Sequence, residues 1–529
     1  MNRTTLSLIA GATALAAVTG IASLTAPDAS GADPAKTAAQ LPVERTSLAC
    51  PAPSSSDLAE TSYASFTPVT QGTGSDGKAE LRAALRESTE DGKSGSDQAD
   101  EDTATEDKAT EDEATEDAAG EDKAAEDKAV AAGKAVLKPA EPGRPAAGEA
   151  SGAESPALIG TAEGRYAPGW TMQQTTEVTA GTGRGLQGVN CATPDTEFWF
   201  PGAGTGEGRT DYLHLTNPDD SAAVVDIELY GKEGLLESTA GEGMTVAPHS
   251  TDPILLSTLT AEKQTNLTVH VTVRSGRVGA AVQALDAELG GDWLTASTDP
   301  AGSLVLPGIP KDATAVRLVV FSPGDADADL KVRLASPTGL ITPAGSETLH
   351  VKAGMTTAVD LGEITRGEAG SLVLTPTGQE VPVVAAVRVL RGKGAAQETA
   401  FIPATGAVGT RASAVGNGAK GTTLSLTAPG ETAKVKVTAS AGSEGGTAAT
   451  QTYTIKSGTT QDVEVPVPSG LKGSYALTVE PVSGGPVYAA RTLSVNQDGV
   501  PAFTVQTLPD DRGTVAVPEA EQDLSVLQK

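Results

Sequence analysis

Val224-Val225-Asp226-Ile227-Glu228-Leu229 sets apolar and charged side chains at alternating positions. In an extended chain successive side chains point to opposite faces, so this pattern predicts a strand with one buried and one wet face. Leu330-Lys331-Val332-Arg333-Leu334 and Ala433-Lys434-Val435-Lys436-Val437 repeat it further along the chain. Turn residues (Gly, Pro, Asn, Asp) separate such stretches at short intervals, and no helical period of ten residues appears inside a repeat.

Four anchors recur in three copies. Thr245-Val246-Ala247-Pro248 corresponds to His350-Val351-Lys352-Ala353 and to Thr454-Ile455-Lys456-Ser457. From Val246 to Val351 to Ile455 the period is 105 and then 104 residues. Ala280-Ala281, Ala385-Ala386 and Ala489-Ala490 follow those three residues at 34 and 35 positions. Turn signals lie upstream at Asn217-Pro218-Asp219, Ser322-Pro323-Gly324 and Ala428-Pro429-Gly430. Farther upstream, Phe200-Pro201, Leu306-Pro307 and Ile402-Pro403 each read as the end of a leading strand. A unit of about 100 residues with some seven short strands predicts an immunoglobulin-like β-sandwich. The expected fold class is all-β: tandem sandwich modules at residues 197–300, 301–397 and 398–497, independent beads followed by a tail at 498–529.

Residues 1–32 read as a secretory signal peptide or an uncleaved N-terminal anchor. Arg3 precedes an uncharged run from Thr4 to Ala26, and small residues follow at Ser30-Gly31-Ala32. Export fits the cysteine count, because a lone pair in an oxidising compartment is expected to form one disulfide, Cys50–Cys191. Residues 33–71 and 158–196 are expected to pair as two parts of an N-terminal β module. In that pairing the strands near 43–49 and 62–67 dock on those near 172–179 and 185–189.

Between the two parts, Glu-Asp recurs every five residues from Glu101-Asp102 to Glu126-Asp127. Residues 101–128 hold 13 acids against three lysines. A five-residue step advances 500° around a helix, so the acids build no face, and the apolar residues are almost all Ala. Residues 72–157 therefore read as a disordered acidic insertion, with transient helix at most around 79–87.

Composition excludes several function classes. A net charge of −30 removes the basic surface that nucleic-acid binding needs. Four His and two Cys leave little for a metal centre, and no cofactor is expected. Gly183-Arg184-Gly185-Leu186-Gln187-Gly188 matches a dinucleotide fingerprint, but no helix signal follows it, so it reads as a glycine-rich β loop. Asp325-Ala326-Asp327-Ala328-Asp329 begins like a calcium loop but has Leu330 where the loop glycine belongs, and it reads as a hairpin tip. Asp211, His214 and Ser250 are the residue types of a hydrolytic triad without a nucleophile elbow around the serine, and no catalytic residue is assigned. Asn266-Leu267-Thr268 is a formal glycosylation sequon.

Trp170, Trp199 and Trp293 stand out in a chain that is only 3% aromatic. As an exposed cluster they would form a binding surface for a glycan or a protein. Alternatively, Trp199 and its neighbours pack the first repeat against the N-terminal segment.

Gly185-Leu186-Gln187-Gly188-Val189-Asn190-Cys191-Ala192-Thr193-Pro194, then Phe198-Trp199-Phe200-Pro201-Gly202, then Leu213-His214-Leu215-Thr216-Asn217-Pro218 resemble the actinobacterial family called domain of unknown function 5719. Ala167-Pro168-Gly169-Trp170 and Cys50-Pro51 are similar to that family too, and the resemblance covers about residues 42–495. It implies an exported protein and carries no catalytic residues. The expected function is a non-enzymatic extracellular or cell-envelope scaffold or binding module. Its partner would be an extracellular protein or cell-wall glycan, with membrane attachment only through an uncleaved leader. The alternative is a glycan-binding or degenerate carbohydrate-active protein.

Overall fold

The computed structural model describes residues 39–86, 135–139, 141–238, 240–497 and 499–517. The signal segment and the acidic pentads lie outside these residues. Contacts divide the chain into a unit of the two chain ends, where Ala39–Pro42 pairs with Thr514–Val517, and a unit Pro42–Thr514.

The larger unit is all-β, interrupted among the described residues by single helical turns at Leu256–Leu259 and Gly394–Ala396. Its second module shows the plan. One sheet runs Leu304–Ile309, Gly370–Pro376, Ala328–Ser336, Gly339–Ile341. The other runs Glu398–Pro403, Val384–Arg391, Ala313–Phe321, Thr356–Asp360. All the pairings are antiparallel, and Leu306, Leu318, Val332, Leu372 and Val387 meet in one core between the two sheets. The first module (starting at Glu197–Ala203) and the third (starting at Ala412–Asn417) have the same two strand orders.

The N-terminal module has them as well. Its sheets run Arg45–Cys50, Leu158–Gly164, Gly77–Ala83, Ala135–Leu137 and Gly185–Asn190, Thr171–Val178, Ala59–Phe66, Ala146–Ser151. The repeat is therefore fourfold, with the acidic stretch inserted after the third strand of the first copy. The sequence reading anticipated the pairing of Ala59–Phe66 with Thr171–Val178. It misplaced Arg45–Cys50, which pairs with Leu158–Gly164.

Three expected boundaries need correction. Glu398–Pro403 pairs with Val384–Arg391 and closes the second module, so Ile402-Pro403 does not begin the third. The true counterpart of Phe200-Pro201 and Leu306-Pro307 is Ala414-Val415, where the proline signature is lost and the strand irregularity is kept. Val500–Thr507 is the last strand of the third module, not part of a tail. Residues 77–83, 85–86, 135–137 and 146–151 are strands, not disordered chain or transient helix. Lys78-Ala79-Glu80-Leu81-Arg82 alternates like the other third strands, with Ala79 and Leu81 buried in the N-terminal core.

The modules are not independent beads. The leading strand of each packs on the hairpin strand of the next: Arg45–Cys50 on Gly279–Asp286, Glu197–Ala203 on Val384–Arg391, and Leu304–Ile309 on Tyr488–Gln497. Ala412–Asn417 of the third module then packs on Thr171–Val178 of the N-terminal one, which closes a ring. The Ala-Ala pairs follow from this arrangement. Ala280, Ala385 and Ala489 point into their own cores. Their neighbours Ala281, Ala386 and Ala490 point at the preceding module. A small residue facing outward lets two sheets approach closely. At Gly308 (φ 84°) the approach is so tight that an added Cβ would stand 2.7 Å from the Ala490 Cβ.

Candidate functional site at the four-strand axis

Each module contributes its final strand to the centre of the ring. Gly185–Asn190, Gly290–Leu294, Glu398–Pro403 and Val500–Thr507 touch one another in cyclic order. The glycines of the Gly183–Gly188 motif serve this approach. A Cβ on Gly185 would collide with Glu398, and one on Gly188 would collide with Thr504.

Asp292 lies at the crossing and is fully buried. Its carboxylate accepts from Gly188 N–H of the N-terminal module at 2.9 Å and from Thr504 Oγ1 of the third module at 3.0 Å, and the backbone N–H groups of Trp293 in its own module and Phe401 in the second also favour its charge. Burial pushes this carboxyl well above the usual range, and the four donors pull against that shift.

Glu398 stands toward one end of the same axis, buried between Gly185 and Gly290, with Arg184 of the N-terminal module 3.6 Å away. Desolvation raises its pKa to about 7, and the Arg184 guanidinium opposes the rise. Arg184 also donates to the carbonyls of Glu288 and Gln397, so three modules meet on it. Other buried charges have structural partners. Arg209 holds Asp211 at 2.6 Å, while Arg491 donates to Val415 O, Asn417 and Gln506. Burial lowers the Arg491 pKa to about 9.

The tryptophans do not form an exposed surface: Trp170, Trp199 and Trp293 are 3%, 6% and 2% exposed. They are also separated. Trp170 fills the N-terminal core and donates to Ser65 Oγ at 2.8 Å. Trp199 stacks on His270 at 3.6 Å and packs on Phe321 across the junction of the first and second modules. Trp293 packs with Val189 and Ala281 where the N-terminal and first modules meet. Large aromatic surface in an aromatic-poor chain goes to cores and module junctions, where it removes the most apolar area from water.

The structure closes the Cys50–Cys191 disulfide inside the N-terminal core, with Cα atoms 4.4 Å apart. It does not assemble the hydrolytic trio. Asp211 is held by Arg209 and Gly204 N–H, Ser250 donates to Ala247 O, and His214 lies edge-on to Trp293. Asp327 and Asp329 contact His350 at a hairpin, and no cluster suited to a metal ion occurs among the described residues. At the sequon, Thr268 is buried against Thr356 of the second module.

Trp293 stands out in the sequence, while its neighbour Asp292 does not. The missed signal was a lone acid inside Gly290-Gly291-Asp292-Trp293-Leu294, a strand with no alternation, which a fully buried segment requires.

The chain belongs to the family of unknown function DUF5719, whose model matches residues 146–466. That span begins at the Ala146–Ser151 strand and ends just beyond Thr459–Val463 in the third module. No curated protein and no solved structure matches the chain.

Proposed function

We propose that this family member is an exported, non-enzymatic scaffold or binding module of the cell envelope, built from immunoglobulin-like sandwiches. The observation that carries the reading is the use made of the interior ionisable groups. Asp292, Arg184 and Glu398 meet where modules join, and Asp211 and Arg491 are matched within the fold. Such groups fix geometry and leave the chemistry-bearing residues committed to structure. The buried Cys50–Cys191 disulfide supports an oxidising compartment. The two strand orders shared by all four modules support the sandwich reading. The glycan-directed alternative relied on exposed tryptophans, and their burial withdraws that support.

Intact mass of the protein from culture supernatant tests the export reading. A species lacking the leader and two cysteine hydrogens is the expected result. A full-length cytosolic protein with two free thiols overturns it. Strong retention of the whole chain on peptidoglycan with turnover of the polymer would overturn the non-enzymatic reading.

A further inference from the structure

At one sheet edge the third module carries a longer unbroken strand than the first and second modules do. In the first module the strand beyond Ala223–Gly231 is broken into Gly234–Leu235 and Met244–Val246. In the second the counterpart is broken into Gly339–Ile341 and Thr348–Val351. Short, interrupted edges are a common protection against unwanted strand pairing. In the third module the same position is one continuous strand, Ala449–Ile455, paired with Ala433–Ala439 over all seven residues. It ends its sheet, with no further strand partner among the described residues. Thr450, Gln451, Thr452 and Thr454 are exposed. The run Ala-Thr-Gln-Thr-Tyr-Thr-Ile contains no charge, proline or glycine, so it carries none of the usual edge defences.

We propose that this edge is a self-association site, at which Ala449–Ile455 pairs antiparallel with the same strand of a second copy of the chain about a twofold axis at Thr452. The register is self-complementary. It sets Thr450 against Thr454, Gln451 against Tyr453 and Ala449 against Ile455, and it places Lys456 opposite Ala448. No like charges face each other, and Thr–Thr pairs across antiparallel strands are favourable. Strand addition at a module edge already occurs within the chain: Leu85–Arg86 of the N-terminal module pairs, in parallel, with the edge strand Ser250–Leu255 of the first module. One seven-residue strand gives a small interface, so the association is weak. Two chains of net charge −30 repel, so added salt strengthens it by screening. The inference holds whether or not the chain is exported.

The test uses the full chain, in which both cysteines are disulfide-bonded, so an introduced cysteine is the single free thiol. Under mild oxidation T452C should give a cross-linked dimer, while T348C, on the corresponding broken edge of the second module, should stay monomeric. Sedimentation of the wild-type chain should shift toward dimer as salt and concentration rise. T452K, which sets two ammonium groups opposite each other, should weaken the dimer at least about tenfold. A wild-type chain that stays monomeric in high salt overturns the proposal. So do equal cross-linking at the two positions and unaltered dimerisation of T452K.

Discussion

Thr504 donates its hydroxyl to Asp292, 3.0 Å from Oδ1 and 3.2 Å from Oδ2, across 212 residues of sequence. The contact joins the third module to the first across the ring axis, with Gly188 and Phe401 completing the set from the other two. Removing the carboxylate leaves those backbone donors buried without an acceptor. Asp292→Ala should therefore destabilise the chain by about 2–5 kcal/mol, adding lost hydrogen bonds to a cavity. Chemical denaturation checks this, and a change below about 0.5 kcal/mol would count against a structural hub at the axis.

Glu398 gives a pH dependence with a definite sign. Its carboxyl rises in the folded ring from an ordinary 4.5 to about 7, so the folded state binds the extra proton. The resulting stabilisation is complete below about pH 4.5 and is lost as pH climbs through 7, roughly 3 kcal/mol at most, with Arg184 resisting the loss. The melting temperature should fall between pH 5 and pH 8 in the wild type and fall less in Glu398→Gln. Parallel profiles for the two proteins would show that another group governs the slope.

Gly308→Ala and Gly354→Ala separate backbone strain from collision. Both glycines have positive φ, 84° and 66°, but only Gly308 faces a neighbour, the Ala490 Cβ of the next module. Gly354→Ala should cost about 1 kcal/mol. Gly308→Ala should cost about 1–3 kcal/mol more, because the second and third modules must separate. Equal losses would mean that the junction tolerates the added methyl.

A fragment of residues 302–391 should fold poorly by circular dichroism. It lacks Glu398–Pro403, whose Ala400 and Ile402 are buried in the second module's core. Extending it to residue 405 should restore a cooperative β transition. Indistinguishable melts would show that Glu398–Pro403 adds nothing to the second module's core.

Deleting residues 76–128 should unfold the N-terminal module, because the deletion takes Gly77–Ala83 with it. Leu81 on that strand is fully buried in the module's core. A melt that matches the intact chain would show that this strand contributes nothing to the core.

How much of this could be read from the residues depends on the distance over which each signal acts. Alternation in Ala223–Gly231, Ala328–Ser336 and Ala433–Ala439 is local, and it shows plainly as strand. The Ala-Ala anchors were visible as a repeat, but their purpose lies in a neighbouring module about a hundred residues away. The fourth copy was hidden because the insertion splits it and because Met172-Gln173 stands where the others have Ala-Ala. At that junction Gln173 accepts a hydrogen bond from Val415 N–H at 2.7 Å, a polar contact in place of a methyl contact. A lone acid in a buried strand marked Asp292, but its role, like the ring, lay beyond local signals, because Gly188, Phe401 and Thr504 come from three other stretches of chain.

Ring closure also dictates an order of events. The module translated first docks its Thr171–Val178 hairpin against Ala412–Asn417 of the module translated last. Until the final strand Val500–Thr507 emerges, Asp292 lacks its threonine donor and the N-terminal module has an uncovered flank. Contacts between such distant parts of a chain form slowly. The nascent protein therefore exposes apolar surface at both of its ends for most of its synthesis, and a chain stopped short of the last module never gains a mate for that first flank.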